Sequence, residues 1–381
     1  MSTHNSKTLL YDQLTSRLGQ HAGLKDLLGR VRHGSLPVSV RGPKSSFISY
    51  LIARLQRDSR RPLLVVVPNE SEAGPLQTDL QLFGVDAYVL PSWGTGAYAA
   101  PSENAAVWGE RMRALTDLWR GTGEVIVTPL RAMSLLMPLP DHSMRHLTSV
   151  EKGQTLDPHD LGHLLSEMGY WRVPRVSVHG EFAVRGEVLD LFLPGQPYAV
   201  RIVFDFDTVS EIREFDPSNQ SSLRKLRSLQ IYPLREVLWD DEKRAHLEEV
   251  AAASPEIRHK REEFSQELTA SREVGPYWAA AALSENTTIL EYLDPSVGII
   301  WVDRQRILAG FEAYRKEFEM VFVQEHFRRP LPRPDRVLVD IDMMIAASSS
   351  RSVYFESLAD AEDTTALRFS CDPPRSFFGN V

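Results

Sequence analysis

Strand and helix signals alternate in the first third of the chain, a strand-rich stretch follows, and buried-strand signals return late. Together they predict an α/β fold, a parallel sheet flanked by helices that carries an inserted, mainly β segment. Two apolar runs make the first part of the case. Leu63–Val67 reads Leu-Leu-Val-Val-Val, and residues 124–128 read Glu-Val-Ile-Val-Thr. Continuous runs of this kind belong to strands buried on both faces. Residues 298–303, Gly-Ile-Ile-Trp-Val-Asp, repeat the pattern far along the chain.

The elements follow in order. Residues 37–41 form a short strand, and residues 45–56 place Phe47, Ile48, Leu51, Ile52 and Leu55 at helical spacing. Residues 70–83 are helical, 87–90 a strand and 103–119 a helix, with Ser102 as its N-cap. The texture changes near Met144. A helix is expected over 158–168, capped by Asp157. Then come runs rich in β-branched and aromatic residues, 179–192, 201–207 and 212–216, broken by Pro194 and Gly195, and these read as paired strands. Residues 240–250 and 256–271 are helical and charged. Residues 304–319 form a long helix, 331–335 a Pro-rich turn, and 336–342, 352–355 and 366–370 further strands. The boundaries fall at 1–142, 143–235 and 236–381, with the first and third pieces sharing one discontinuous sheet domain. Residues 376–381 read as the lead into another helix, so the chain is expected to be part of a longer protein.

Composition narrows the class. A chain of 381 residues exceeds one ordinary core, so two or three domains are expected. A hydrophobic content of 43% and a charged content of 25% describe a globular protein. No apolar run approaches the roughly 18 residues that span a bilayer, and residues 1–7 are polar, without a signal-peptide core behind them. Cys371 stands alone and cannot form an internal disulfide, which fits a reducing, cytoplasmic setting. The net charge of −8 argues against a protein whose main task is gripping phosphate backbones. The clusters Arg224, Lys225, Arg227 and Arg328, Arg329 read as solvated faces. His159 and His163, beside Asp157 and Asp160, read as a helix start with acids at its positive end, and no metal site is expected. No G-x-S-x-G elbow is present, so a hydrolase triad has no anchor, and no catalytic residue is assigned.

In a parallel α/β domain, chemistry gathers at the first strand–helix turn. Here that turn holds Gly42, Pro43, Lys44 and Ser45. A working phosphate loop reads G-x-x-x-x-G-K-[ST]. With Lys44 and Ser45 in its last two places, Val38 and Pro43 stand where the glycines belong. The loop works by aiming backbone N–H groups at phosphate oxygens. Proline has none, and its φ is fixed. Motor ATPases also carry Asp-Glu after a buried strand, to hold Mg²⁺ and position the attacking water. The matching place here is Asp303-Arg304, a cation where the second carboxylate belongs. Gly42, Lys44, Ser45 and Asp303 therefore mark a degenerate nucleotide site.

The run from His179 to Asp216 resembles the small β-rich domain of the UvrB-like family, which includes the excision-repair helicase UvrB and the transcription-repair coupling factors. Leu90-Pro91-Ser92-Trp93, Tyr98, Pro101-Ser102-Glu103, Glu110-Arg111 and residues 125–130 match the order found in that family. The resemblance implies a degenerate RecA/helicase-like sheet domain and an inserted domain that docks the damage-recognition ATPase UvrA. No long aromatic hairpin lies between Val127 and Met144, which favours a coupling-factor module over UvrB itself. By resemblance the UvrA-binding residues are Arg185 and Arg201, with Phe204 and Phe206 beside them. Flanking a strand on its solvated face is the competing role for the two arginines. One departure stands out: where the family has Phe-Phe-Asp, this chain has Phe204-Asp205-Phe206. Arg201, Val203 and Asp205 share one face by the period of two, and Phe206 is expected on the other with Ile202 and Phe204. The resemblance further implies contacts with RNA polymerase and duplex DNA through parts beyond Val381, where an ATP- and Mg-dependent motor would lie. No cofactor is expected here. The alternatives are a UvrB-type ATP-dependent repair helicase and a plain nucleic-acid-binding module.

Overall fold

A computed structural model describes residues 11–94, 96–99, 105–239, 241–253, 262, 277–278, 286–328, 331–356 and 365–371. Its first strands are β1 (Val38–Arg41), β2 (Leu63–Val67), β3 (Ala87–Val89), β4 (Val125–Pro129) and β5 (Met137–Pro138). Next come β6 (Thr148–Glu151), β7 (Trp171–Arg172), β8 (Glu181–Arg185), β9 (Val188–Leu191), β10 (Ala199–Asp205), β11 (Thr208–Phe215), β12 (Ser222–Leu226) and β13 (Ser228–Ile231). The chain then returns through β14 (Asn286–Thr287), β15 (Gly298–Val302), β16 (Ser352–Glu356) and β17 (Leu367–Arg368).

Seven of these form one sheet in the order β17-β1-β16-β15-β2-β4-β3, and every pairing in it is parallel. The chain leaves this sheet after β4 and re-enters it at β15, so the sheet is built from two separate stretches of sequence. β2 and β4 are buried at all five positions, as their unbroken apolar runs require. Successive side chains point to opposite faces. Leu64, Val66, Ile126, Ile299 and Trp301 join one core, and Val65, Val67, Val127, Ile300 and Val302 join the other. Helices α1 (Ala22–Arg32), α2 (Ser46–Ser59) and α3 (Glu70–Leu82) supply apolar residues to the second core. α4 (Ala105–Arg120) contributes Met112, Leu115 and Leu118 to the first.

The inserted segment is a six-stranded sheet, β12-β11-β10-β9-β8-β7. It is antiparallel except for the parallel β7–β8 edge pair. Its inner face, with Phe182, Leu189, Ile202 and Ile212, packs on α5 (Pro158–Glu167) and is continuous with the first core. Asp157 caps α5 by accepting from the His159 and Asp160 amides. The return to the parallel sheet brings α6 (Arg304–Glu325), whose Ile307, Phe311, Tyr314 and Phe318 enter that same core.

Three sequence expectations need comment. The strand expected over 336–342 is instead a 3₁₀ turn, Pro334–Arg336, followed by helix α7 (Ile341–Ala347). Asp340 accepts from the Met343 amide and starts that helix, a capping signal stronger than the short apolar run before it. Residues 130–147 hold a 3₁₀ turn, the two-residue β5 and a short helix, with no hairpin. The Ser102 cap, the ends at 376–381 and all of the 256–271 helix except residue 262 lie outside the described residues.

A buried cation joins the two sheets. Arg111 on α4 is 1% exposed. Its Nε donates to Glu236 Oε1 at 2.6 Å, and one terminal nitrogen donates to the carbonyls of Pro91 at 2.6 Å and Ala132 at 3.1 Å. The Trp93 ring stacks on the guanidinium at 4.6 Å. Two residues earlier on the same helix, Gly109 lets the loop after β9 approach: a Cβ there would lie 1.7 Å from Pro194 Cβ. Removing one partner of a buried ion pair strands the other charge. Arg111→Ala is therefore expected to cost about 3–5 kcal/mol, measured by urea unfolding followed by tryptophan fluorescence.

Candidate functional site

The four residues of the degenerate nucleotide site come together. Gly42, Lys44, Ser45 and Asp303 line one cleft of about 670 Å³ at the carboxyl ends of β1, β2 and β15. The position is the one a nucleotide takes in such sheets, but the details oppose it. The Gly42 amide donates to the Glu356 carbonyl at 3.1 Å, so it serves the neighbouring strand. Pro43 has no amide to offer. The Phe47 and Ile48 amides donate back to Lys44 and Ser45 carbonyls. Ser45 sits at φ +47°, a region costly for any residue but glycine. Lys44 is exposed.

The second half of the cleft is equally committed. Asp303, at φ +58°, accepts from the Arg306 amide at 3.3 Å and caps α6. Arg304 points to Glu356 at 2.8 Å and lies over the Tyr354 ring. Glu356 also faces Arg41 at 3.7 Å. Arg306 reaches across the cleft to Glu72 at 2.5 Å. The cleft's arginines and glutamates, Arg41, Arg304 and Arg306 with Glu72 and Glu356, are thus paired with each other.

The open face of the inserted sheet is organised around one carboxylate. Asp190 on β9 is 1% exposed. It faces Arg201 on β10, and it also meets Arg185 on the neighbouring β8. Arg201 donates through Nε to Oδ1 at 2.6 Å and through a terminal nitrogen to Oδ2 at 2.8 Å, a bidentate fork. Arg185 donates to the same Oδ2 at 2.6 Å. Arg201 is further held by Gln220 at 2.9 Å and by the Phe215 ring at 4.6 Å. The Asp190 hydrogen bond raises the Arg201 guanidinium above its ordinary value, against the opposing effect of burial. Arg185 stays half exposed, while Arg201 is largely covered.

The aromatic residues divide differently from expectation. Phe204 is 2% exposed and packs in the core with Ile202, so it cannot touch a partner directly. Phe206 does not join it. The chain turns there at φ +57°, between β10 and β11, and the ring is 82% exposed. The strand alternation ended one residue before the position at which it had been applied. Asp205 is exposed at the end of the Arg201 face. Sequence reasoning missed Asp190 and Gln220. Asp190 carried a signal, a lone acid between Leu189 and Leu191 on a strand beside Arg201. Gln220 carried none, since it reaches Arg201 from the β11–β12 turn.

Residues 148–236 match the UvrB interaction domain. The transcription-repair-coupling factor of Borreliella burgdorferi is 22% identical over 97% of this chain and 32% of its own length. That of Myxococcus xanthus is 32% identical over 70% of this chain and 24% of its own, and that of Haemophilus influenzae 26% identical over 76% and 26%. The chain thus spans a third or less of the length of these relatives. It carries a match to the UvrB interaction domain at residues 148–236 and is similar, over nearly its whole length, to a transcription-repair-coupling factor.

Proposed function

We propose that this chain is a docking module that recruits UvrA for transcription-coupled nucleotide excision repair. Residues 143–235 are the docking domain, and 1–142 with 236–381 form its scaffold. The observation that carries this reading is the pair Arg185 and Arg201 held on buried Asp190. A guanidinium fixed in place loses little freedom on binding, and arginine is enriched among interface hot spots. Phe206, on its exposed turn, offers the apolar anchor that Asp205 cannot supply.

On this reading the scaffold hydrolyses no ATP. An ATP- and Mg-driven translocase, with the contacts to RNA polymerase and duplex DNA, belongs to the remainder of a longer protein. The alternative, a UvrB-type repair helicase, needs a phosphate cradle at Pro43 and a carboxylate at Arg304. Ion pairs such as Arg304–Glu356 and Arg306–Glu72 oppose it.

Two measurements test the reading. ATP titrated into the chain to millimolar concentration should give no saturable calorimetric signal, and micromolar binding would restore the helicase alternative. In a UvrA binding assay, Arg185→Glu should weaken affinity at least ten-fold and Phe206→Ala several-fold. Asp190→Ala should weaken it too, with about 2–3 kcal/mol lost in folding stability, because it strands the mostly covered Arg201. Wild-type affinity in Arg185→Glu would remove this face from the interface.

A further inference from the structure

The open face carries more charge than Arg185 and Arg201. Register places Arg201 on β10 opposite Arg213 on β11, and Arg213 opposite Lys225 on β12. Three cations therefore stand in a row across three adjacent strands. Like charges at facing positions destabilise a sheet. A sheet shaped for stability alone would not keep such a row.

The counter-charges are too few. Asp190 serves Arg185 and Arg201. Glu211 is shared, accepting from Arg213 at 3.0 Å and from Lys225 at 2.6 Å. Four cations thus share two carboxylates, while a third on the same face, Glu181 on β8, is taken up by the Ser177 hydroxyl and the Ser177 and Val178 amides. The hairpin ends add Glu187, Asp205 and Asp207, so the basic stretch is confined to the middle of the face. Arg213 is the least satisfied member. Its Nε is buried without a hydrogen-bond partner, and its side chain is 32% exposed. The buried Nε cannot meet a partner; what remains within reach of one is the solvent-facing part of the guanidinium, bonded to Glu211 through one terminal nitrogen at 3.0 Å, and a planar fork of this kind suits a carboxylate.

We propose that Arg213, with Lys225 beside it, extends the docking surface across β11 and β12 and reads a carboxylate-bearing segment of the docked partner. The inference rests on the docking reading above and deepens it. Neighbouring strands lie about 4.8 Å apart. Side chains three or four residues apart on a helix lie about 5–6 Å apart, so the row fits acidic residues along one helix face of UvrA. Lys225, 78% exposed, supplies a mobile point charge at the rim.

The test compares UvrA affinity and melting temperature for the unmutated chain, Arg213→Gln, Arg213→Glu, Lys225→Glu and Arg185→Glu. Arg213→Gln should weaken binding several-fold and Arg213→Glu at least ten-fold. The melting temperature of Arg213→Gln should hold or rise, since repulsion with Arg201 and Lys225 is relieved. Lys225→Glu should weaken binding several-fold, with a shallower salt dependence. Wild-type affinity in Arg213→Glu, or an affinity loss in Arg213→Gln that tracks a lowered melting temperature, overturns the extension. The Arg185→Glu result, read separately, reports on the docking face itself, and failure of the unmutated chain to bind UvrA overturns the docking reading.

Discussion

Arg111 is the joint on which the arrangement depends. A guanidinium has five donors and no acceptor, and burying it is tolerable only if carbonyls and carboxylates converge on it. Here they come from far apart in sequence: Pro91 after β3, Ala132 after β4, and Glu236 where the inserted segment ends. Each segment must be in place before the charge is satisfied. The pair therefore fixes the exit of the inserted sheet against α4, and Gly109 provides the clearance that lets the Pro194 loop close on the same helix. The proposed docking face therefore belongs to a sheet whose inner face is packed into the main core.

This joint explains why part of the sequence was legible only as a pattern. Leu90-Pro91-Ser92-Trp93, Tyr98 and Glu110-Arg111 pointed to a family without saying why those residues belong together. The structure supplies the reason: Trp93 stacks on Arg111, Pro91 accepts from it, and Tyr98 is buried, donating to the Pro332 carbonyl. The parallel sheet was readable because β2, β4 and β15 are buried on both faces, and such strands announce themselves in apolar runs. The segment 336–342 was not, because a short apolar run is ambiguous and a single capping aspartate decided it. Phe206 was misplaced for a related reason. Alternation predicts faces within a strand, and it fails at the residue where the chain turns. Asp190 was overlooked because its importance lies in two partners on other strands, which no local pattern records.

On the proposed reading, the cleft at the ends of β1 and β15 is a nucleotide site lost while its fold is kept. Pro43 removes one amide and the Glu356 carbonyl takes another. The cations and acids then satisfy one another: Arg304 and Arg41 share Glu356, and Arg306 takes Glu72. These pairs suit a cleft that binds no phosphate, as proposed, better than a working one. An empty site that kept its charges free would pit like charges against each other with no ligand to screen them. Mutual pairing converts a liability into local stability, and each pair formed makes a return to phosphate binding harder.

The proposed docking face follows the opposite rule. Asp190 is buried and fully used, yet Arg201, Arg213 and Lys225 remain in a facing row that repels itself. A protein can afford such a row only where the scaffold beneath is secure, and here that scaffold is a sheet whose inner face joins the main core. The cleft and the face thus sit at two ends of one trade. In the first, charge is neutralised internally by the Arg304–Glu356 and Arg306–Glu72 pairs. In the second, charge was left incompletely neutralised, on a carboxylate that holds it still, and this is the state from which an incoming acidic surface gains most. Internal satisfaction and external readiness compete for the same donors, so the degree to which each arginine is already bonded measures what it is kept for.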